Sequence, residues 1–265
     1  MGRFFSRLGV AAVLLLIIGI YVTQSGMWAD LSRATGIGDP DAQLSAPKVP
    51  APGSMKGEVA NPLETATGIL QNRGNNTFDL WDEAIALLDG MPTAKPNVTD
   101  FDRADMFGGW TTNKDGCTTS EVVLARDLTD VKFSKDNPCV PVSGTLTDPY
   151  TGGTIKYSAS GSTQVQVVPV VNPKNAWASG ADAWTQDQRA NFYNDPNNLL
   201  AVGVGSARNK EGAGPEGWLP KDEDAHCAYV TVWVQTKHAW DLTMTEQEAN
   251  AINTILRDCM KGNNE

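Results

Sequence analysis

A chain of 265 residues and 28.4 kDa can hold one globular domain of ordinary size with appendages. Its net charge of −10 repels phosphate backbones, and no cluster of Lys or Arg is longer than two residues. A nucleic-acid binder presents a basic stripe, so composition argues against nucleic acid as the natural partner and leaves room only for a small basic groove on an acidic body.

The first element is a membrane segment. Residues 8–22 are an uninterrupted run of Leu, Gly, Val, Ala, Ile and Tyr, and the weakly polar stretch up to Trp28 brings it to the roughly 20 residues that cross a bilayer. A cleaved signal peptide needs small residues in an A-x-A-like pattern after the apolar core, where this chain has Met27 and Trp28. The expectation is therefore an uncleaved, single-pass transmembrane helix over 8–28 in the cell membrane. Arg3 and Arg7 precede it and Asp30 follows, which places residues 1–7 in the cytoplasm and the C-terminal domain outside. Residues 29–60, rich in Ala, Pro, Gly and Ser, read as a semi-extended linker.

Residues 61–98 form a helical lead-in, with apolar spacing over 62–70 and over 80–88 and Asp79 as N-cap of the second helix. From residue 99 the extracytoplasmic domain begins. Short strand-like segments follow at 122–128, 140–146, 154–157 and 164–171, the last two spaced to pair as a hairpin. Helices come next at 175–180 and at 185–193, where Thr185-x-x-Gln188 forms a capping box. Residues 224–238 carry β-branched Val230, Thr231, Val232 and Val234. A helix opened by Asp224 is still expected there, because Cys227, Val230, Val234 and Lys237 then share a face. Thr245-x-x-Glu248 caps a final helix striped by Ala249, Ile252, Leu256 and Cys259. There are no internal repeats, and the fold class is α+β: a small sheet with several helices.

Cys117, Cys139, Cys227 and Cys259 contain no C-x-x-C pair and do not suit a zinc ribbon. Disulfides agree with an oxidising compartment. Four cysteines allow three pairings; Cys117–Cys139 with Cys227–Cys259 is favoured, each loop being worth about 3 kcal/mol in the chain-entropy model. His226 and His238 are too far apart for an H-x-x-x-H metal pair. The acidic run Asp222, Glu223, Asp224 suits a helix start, and Trp110, Trp177, Trp184 and Trp218 are assigned to core packing.

Six segments together resemble a known family: FDRADMFGGW (101–110), DGCTTSEVVLARDL (115–128), SGTLTDPYTGGTIKY (143–157), NDPNNLLAV (194–202), GWLP (217–220) and CAYV (227–230). In this order they are similar to the HNH-type endonucleases of actinobacterial exported proteins related to the C-terminal domain of GmrSD restriction enzymes. The resemblance implies a ββα-metal core, in which a hairpin, a loop and a helix wrap around one divalent cation such as Mg²⁺. Phosphodiester hydrolysis needs a base for the attacking water and a hard cation for the developing charge. The family supplies these from a strand-borne Asp-His and an Asn on the following helix. Here the matching positions are Val168, Pro169 and Ala207, and the family's D-T-R-N after the first cysteine is Thr118, Thr119, Ser120 and Glu121.

The resemblance thus implies a degenerate HNH-like core with no catalytic residue and no metal ligand, and no cofactor is expected. Arg126 and Asp127 remain as a structural ion pair, and Asn198 and Lys210 as possible groove residues. Lys210 is a candidate phosphate contact weighed against an ordinary surface lysine. Pro169 lacks a backbone donor and is tolerated only at a strand edge or bulge. The expected function is that of a membrane-anchored pseudo-nuclease that binds a protein partner as an accessory subunit of a membrane or cell-envelope complex. The alternative is an active metal-dependent endonuclease acting on DNA or RNA with ligands relocated to Asp182, Asp195 or Glu211. A stalk-like envelope protein is a third, purely structural possibility.

Overall fold

The computed structural model describes residues 68, 77–161, 164–210 and 212–262. The expected anchor at 8–28, the linker, most of the helix at 62–70 and Glu211 lie outside them. Among the described residues no helix is long and apolar enough to cross a membrane. The architecture is α+β, with two small antiparallel sheets and helices around them.

Helix α1 spans Thr77–Gly90, so Asp79 sits inside its first turn instead of capping it. Ala84 and Leu88 are buried there in the main core, which makes the lead-in helix part of the domain's packing. Helix α2, Arg103–Phe107, is capped by Asp102, which accepts from Asp105 N at 3.0 Å.

Helix α3, Thr119–Asp127, replaces the strand expected at 122–128. The cause is local. Thr118 and Glu121 form a capping box: Glu121 Oε2 accepts from Thr118 N at 2.7 Å, and Thr118 Oγ1 accepts from Glu121 N at 3.3 Å. Satisfying the orphan donors at a helix start outweighs the weak β preference of Val122 and Val123.

Strands β1 (Thr129–Phe133), β2 (Pro141–Thr147) and β3 (Thr154–Ser158) form a three-stranded sheet in that order. The turn between β2 and β3 is drawn tight by Asp148 N donating to Gly153 O at 2.8 Å, with Gly152 at φ +68°. Because β3 is held to β2 by this turn, the expected hairpin between 154–157 and 164–171 does not form. Strand β4, Val165–Pro169, pairs instead with β5, Leu199–Gly203, a strand absent from the sequence reading.

Between β4 and β5 the chain makes helix α4 (Pro173–Ala178) and helix α5 (Gln186–Tyr193), the latter opened by the expected Thr185/Gln188 box. After β5 comes α6, Val204–Lys210. Helix α7, His226–Ala239, follows a 3₁₀ turn at Glu223–Ala225 that Asp222 caps, so Asp222 fills the role expected of Asp224. Residues Tyr229 to Val234 of α7 are all buried, and this enclosure explains why β-branched residues persist in a helix: packing overrides a propensity difference of a few tenths of a kcal/mol per residue. Helix α8, Glu246–Gly262, has the expected capping box, with Ile252 and Leu256 fully buried.

The β4–β5 pair lies between two apolar layers. Val165, Val167, Leu199 and Ala201 face Val123, Leu124, Leu128 and Leu146, while Val168, Leu200 and Val202 face the larger cluster around Tyr229, Trp233, Phe192 and Trp240. This alternation is the period-2 signature of a strand buried on both sides. Two disulfides close the outer parts, Cys117–Cys139 and Cys227–Cys259, with Cα separations of 5.0 and 6.0 Å. Both pairs are the favoured ones.

Candidate functional site

Strands β4 and β5 and helix α6 form a strand–strand–helix unit, but helices α4 and α5 intervene between the two strands, so they pair antiparallel without forming the expected hairpin. Val168 and Pro169 end β4, in register with Leu200 and Leu199. Ala207 lies on α6, and it and Val168 both pack against the main apolar cluster. The backbone bonds Val170 N to Asn198 O and Val204 N to Gln164 O fix the ladder so that Pro169 falls where the backbone points away from β5. Its missing N–H therefore leaves no ladder bond unmade.

The polar side chains around this unit hold backbone. Asn198 is fully buried; its carbonyl accepts from Val171 N at 2.8 Å and its amide donates to Val171 O at 2.9 Å. It acts as an extra strand partner for Val171. Lys210 is also buried, contrary to an ordinary surface lysine. Its ammonium donates to Pro169 O at 2.7 Å and to Val170 O, and lies 5.7 Å from the centre of the Tyr229 ring. Burial lowers its pKa to about 7. In this position it ties the last turn of α6 to the end of β4 and is not placed as a phosphate contact.

Arg126 and Asp127 form the expected ion pair at 2.6 Å, at the end of a helix and not in a strand. Asp127 accepts from Ala201 N at 2.7 Å; Arg126 donates to Leu199 O at 2.6 Å and to Pro196 O at 2.8 Å. The pair thus covers the outer edge of β5, where unpaired backbone invites association.

Asp148, absent from the sequence-derived candidates, is 2 % exposed and sits beneath the β5–α6 corner. It accepts from Tyr150 N at 3.1 Å and from the Thr151 hydroxyl at 2.9 Å. A Cβ on Gly203 would come within 2.9 Å of its carboxylate, so the corner needs glycine. The D-P-Y-T-G-G sequence signals the turn, but nothing in it signals that the carboxylate reaches the corner.

Of the relocated-ligand candidates, Asp182 and Asp195 bind other groups, and Glu211 lies outside the described residues. Asp182 accepts from Asn97 at 2.6 Å. Asp195 caps the 3₁₀ turn before β5 and accepts from Trp240 Nε1 at 2.8 Å; burial raises its pKa, opposed by these hydrogen bonds. Val168, Pro169 and Ala207 offer no donor atom to a cation. Among the described residues no group of three His, Cys, Asp or Glu could hold a metal ion. The side chains at these three positions do not fit the divalent ion of the ββα class.

The domain is α+β, with a strand–strand–helix unit whose helix packs on both strands. The chain belongs to the family described as GmrSD restriction endonucleases, C-terminal domain, which it matches over residues 118–255. It is also 35 % identical over 178 residues to an uncharacterized secreted protein of Arthroderma benhamiae, an alignment covering 66 % of this chain and 84 % of that protein. No solved structure matches the chain.

Proposed function

We propose that this chain is an exported, membrane-anchored pseudo-nuclease that works by binding, as an accessory subunit of a membrane or cell-envelope complex. The carrying observation is a strand–strand–helix unit that bears Val168, Pro169 and Ala207, the positions that the resemblance assigns to the family's chemistry. Lys210, Asn198 and the Arg126–Asp127 pair keep that unit assembled through backbone contacts that need no cation. Export is supported by two disulfides, which persist in oxidising compartments, and by the word "secreted" in the relative's description. The acidic charge favours a partner other than nucleic acid.

The test is hydrolysis of single- and double-stranded DNA and RNA by the purified full-length chain with Mg²⁺ or Mn²⁺. The expected outcome is no cleavage above a buffer control and no rise in melting temperature on adding either ion. Metal-dependent cleavage that co-purifies with the chain and is lost on mutating Asp182 or Asp195 would establish the relocated-ligand enzyme instead. Anchoring is tested separately, by whether carbonate washing leaves the chain in the membrane fraction.

A further inference from the structure

The connection between α1 and α2, residues 91–102, is irregular chain on the surface of the domain. It carries Asn97-Val98-Thr99, an N-x-T tripeptide with a middle residue other than proline, which is the acceptor pattern for an N-linked sugar. Such a tripeptide also arises by chance, so its placement decides its meaning. Here Val98 is 89 % exposed, Thr99 is exposed and Asn97 is half-buried. None of the three side chains belongs to the core.

The local bonds fix how the amide is presented. Asn97 N donates to Ala178 O at 2.8 Å, which pins the loop to the end of α4. Thr99 N then donates to Asn97 Oδ1 at 3.2 Å and closes an Asx turn. With the side-chain carbonyl held in the turn, Asn97 Nδ2 donates at 2.6 Å to Asp182, itself an exposed residue. The amide nitrogen therefore lies between surface groups. The Thr99 hydroxyl accepts from Trp177 Nε1 at 3.1 Å and keeps its own hydrogen for donation.

We propose that Asn97 is an acceptor site for N-linked glycosylation. The donor is a polyprenyl-pyrophosphate-linked oligosaccharide. Asn97 Nδ2 attacks C1 of its first sugar: the N–C1 bond forms, the C1–O bond to the pyrophosphate breaks, the bonding pair leaves on that oxygen, and one amide proton is released. Nothing is oxidised or reduced. Nδ2 retains one N–H, and the sugar sits on a loop where added bulk displaces no core contact. The transferase works in the secretory pathway, so the site rests on the export proposed above, which the disulfides Cys117–Cys139 and Cys227–Cys259 support.

The test uses the full-length chain produced in a eukaryotic secretory host. It carries Asn75→Gln, because Asn75-Asn76-Thr77 has the same pattern. Intact mass is read before and after peptide-N-glycosidase digestion in heavy-oxygen water. The expected result is a glycan mass on most molecules, removed by the digestion with a heavy-oxygen Asp left at residue 97. Adding Asn97→Gln or Thr99→Ala should abolish that mass, whereas Thr99→Ser should keep it. A chain with both disulfides formed and residue 97 unmodified would overturn the proposal, as would a glycan mass that survives Asn97→Gln. A chain found reduced and in the cytosol would overturn the exported function and this site with it. Nuclease activity in the same preparation would overturn the pseudo-nuclease function and leave a glycan on Asn97 standing.

Discussion

Replacing Asn198 by Ala tests whether the ββα-like unit is held by side-chain-to-backbone bonds. Asn198 and Val171 are both fully buried, and the amide makes the two bonds at 2.8 and 2.9 Å that satisfy both backbone groups of Val171. Deleting one partner of a buried hydrogen bond leaves the other with its desolvation penalty, about 1–3 kcal/mol per group. Two orphaned groups sum to about 2–6 kcal/mol, and partial relaxation places the expected loss near 3 kcal/mol. With an m-value of about 1–3 kcal/mol/M in urea, the unfolding midpoint falls by roughly 1–3 M. The assay is equilibrium urea unfolding of the oxidised chain, followed by tryptophan fluorescence. Asn198→Asp is the companion: its carboxyl keeps an acceptor for Val171 N, but only when protonated can it donate to Val171 O. That variant should gain stability relative to wild type as pH falls from 7 to 4. An Asn198→Ala loss below about 0.5 kcal/mol would refute the clamp, since that is the scale of an ordinary surface substitution.

Other outcomes follow from neighbouring contacts. Lys210 titrates near 7 in the folded chain because it is buried, against about 10.4 when unfolded. Between those values the unfolded state holds the proton that the folded state has released, so stability climbs with pH across the window. Thermal melts from pH 7 to 9.5 should therefore rise more steeply for wild type than for Lys210→Met. Cys259→Ser opens the Cys227–Cys259 loop and should cost about 2–5 kcal/mol, read as a lower melting temperature. Asp127→Ala removes the acceptor of Ala201 N and leaves Arg126 unpaired. A loss of about 3 kcal/mol, with increased light scattering as the β5 edge is uncovered, is expected. The triple variant Val168→Asp, Pro169→His, Ala207→Asn should acquire a Mg²⁺-dependent rise in melting temperature, worth about 2.7 kcal/mol at a hundredfold excess over Kd. A folded triple variant with no such rise would mean that the packing around Val168 and Ala207 leaves no room for the ion.

The parts of this fold readable from sequence were those encoded within a few residues. Thr185 with Gln188, and Thr245 with Glu248, mark helix starts because both halves of each cap lie on one turn. The Thr118–Glu121 box carries the same signal, but the short run over 122–128 also fits a strand, and it is that pattern which set the strand expectation where helix α3 stands. Strand β5 was missed because its pairing depends on β4, some thirty positions earlier, and NLLAV alone fits a turn followed by any apolar element. Lys210 misled for a related reason. A lysine's default place is the surface, and only the approach of the Pro169 and Val170 carbonyls across the unit gives its ammonium a reason to be inside. The resemblance assigned the candidate site to Val168, Pro169 and Ala207, and the fold places all three on β4 and α6.

The two disulfides are sequential along the chain and neither encloses the other: the first closes at Cys139 before the second opens at Cys227. Everything between them, including β4, β5 and α6, is joined to the flanking parts by the main chain alone. One proteolytic cut in that stretch would yield two covalent pieces, each carrying its own intact bridge. They would travel together in native buffer through the shared apolar core and separate on a non-reducing denaturing gel. A processed form of this protein would thus look whole by size exclusion and cleaved by electrophoresis, whether or not reductant is present.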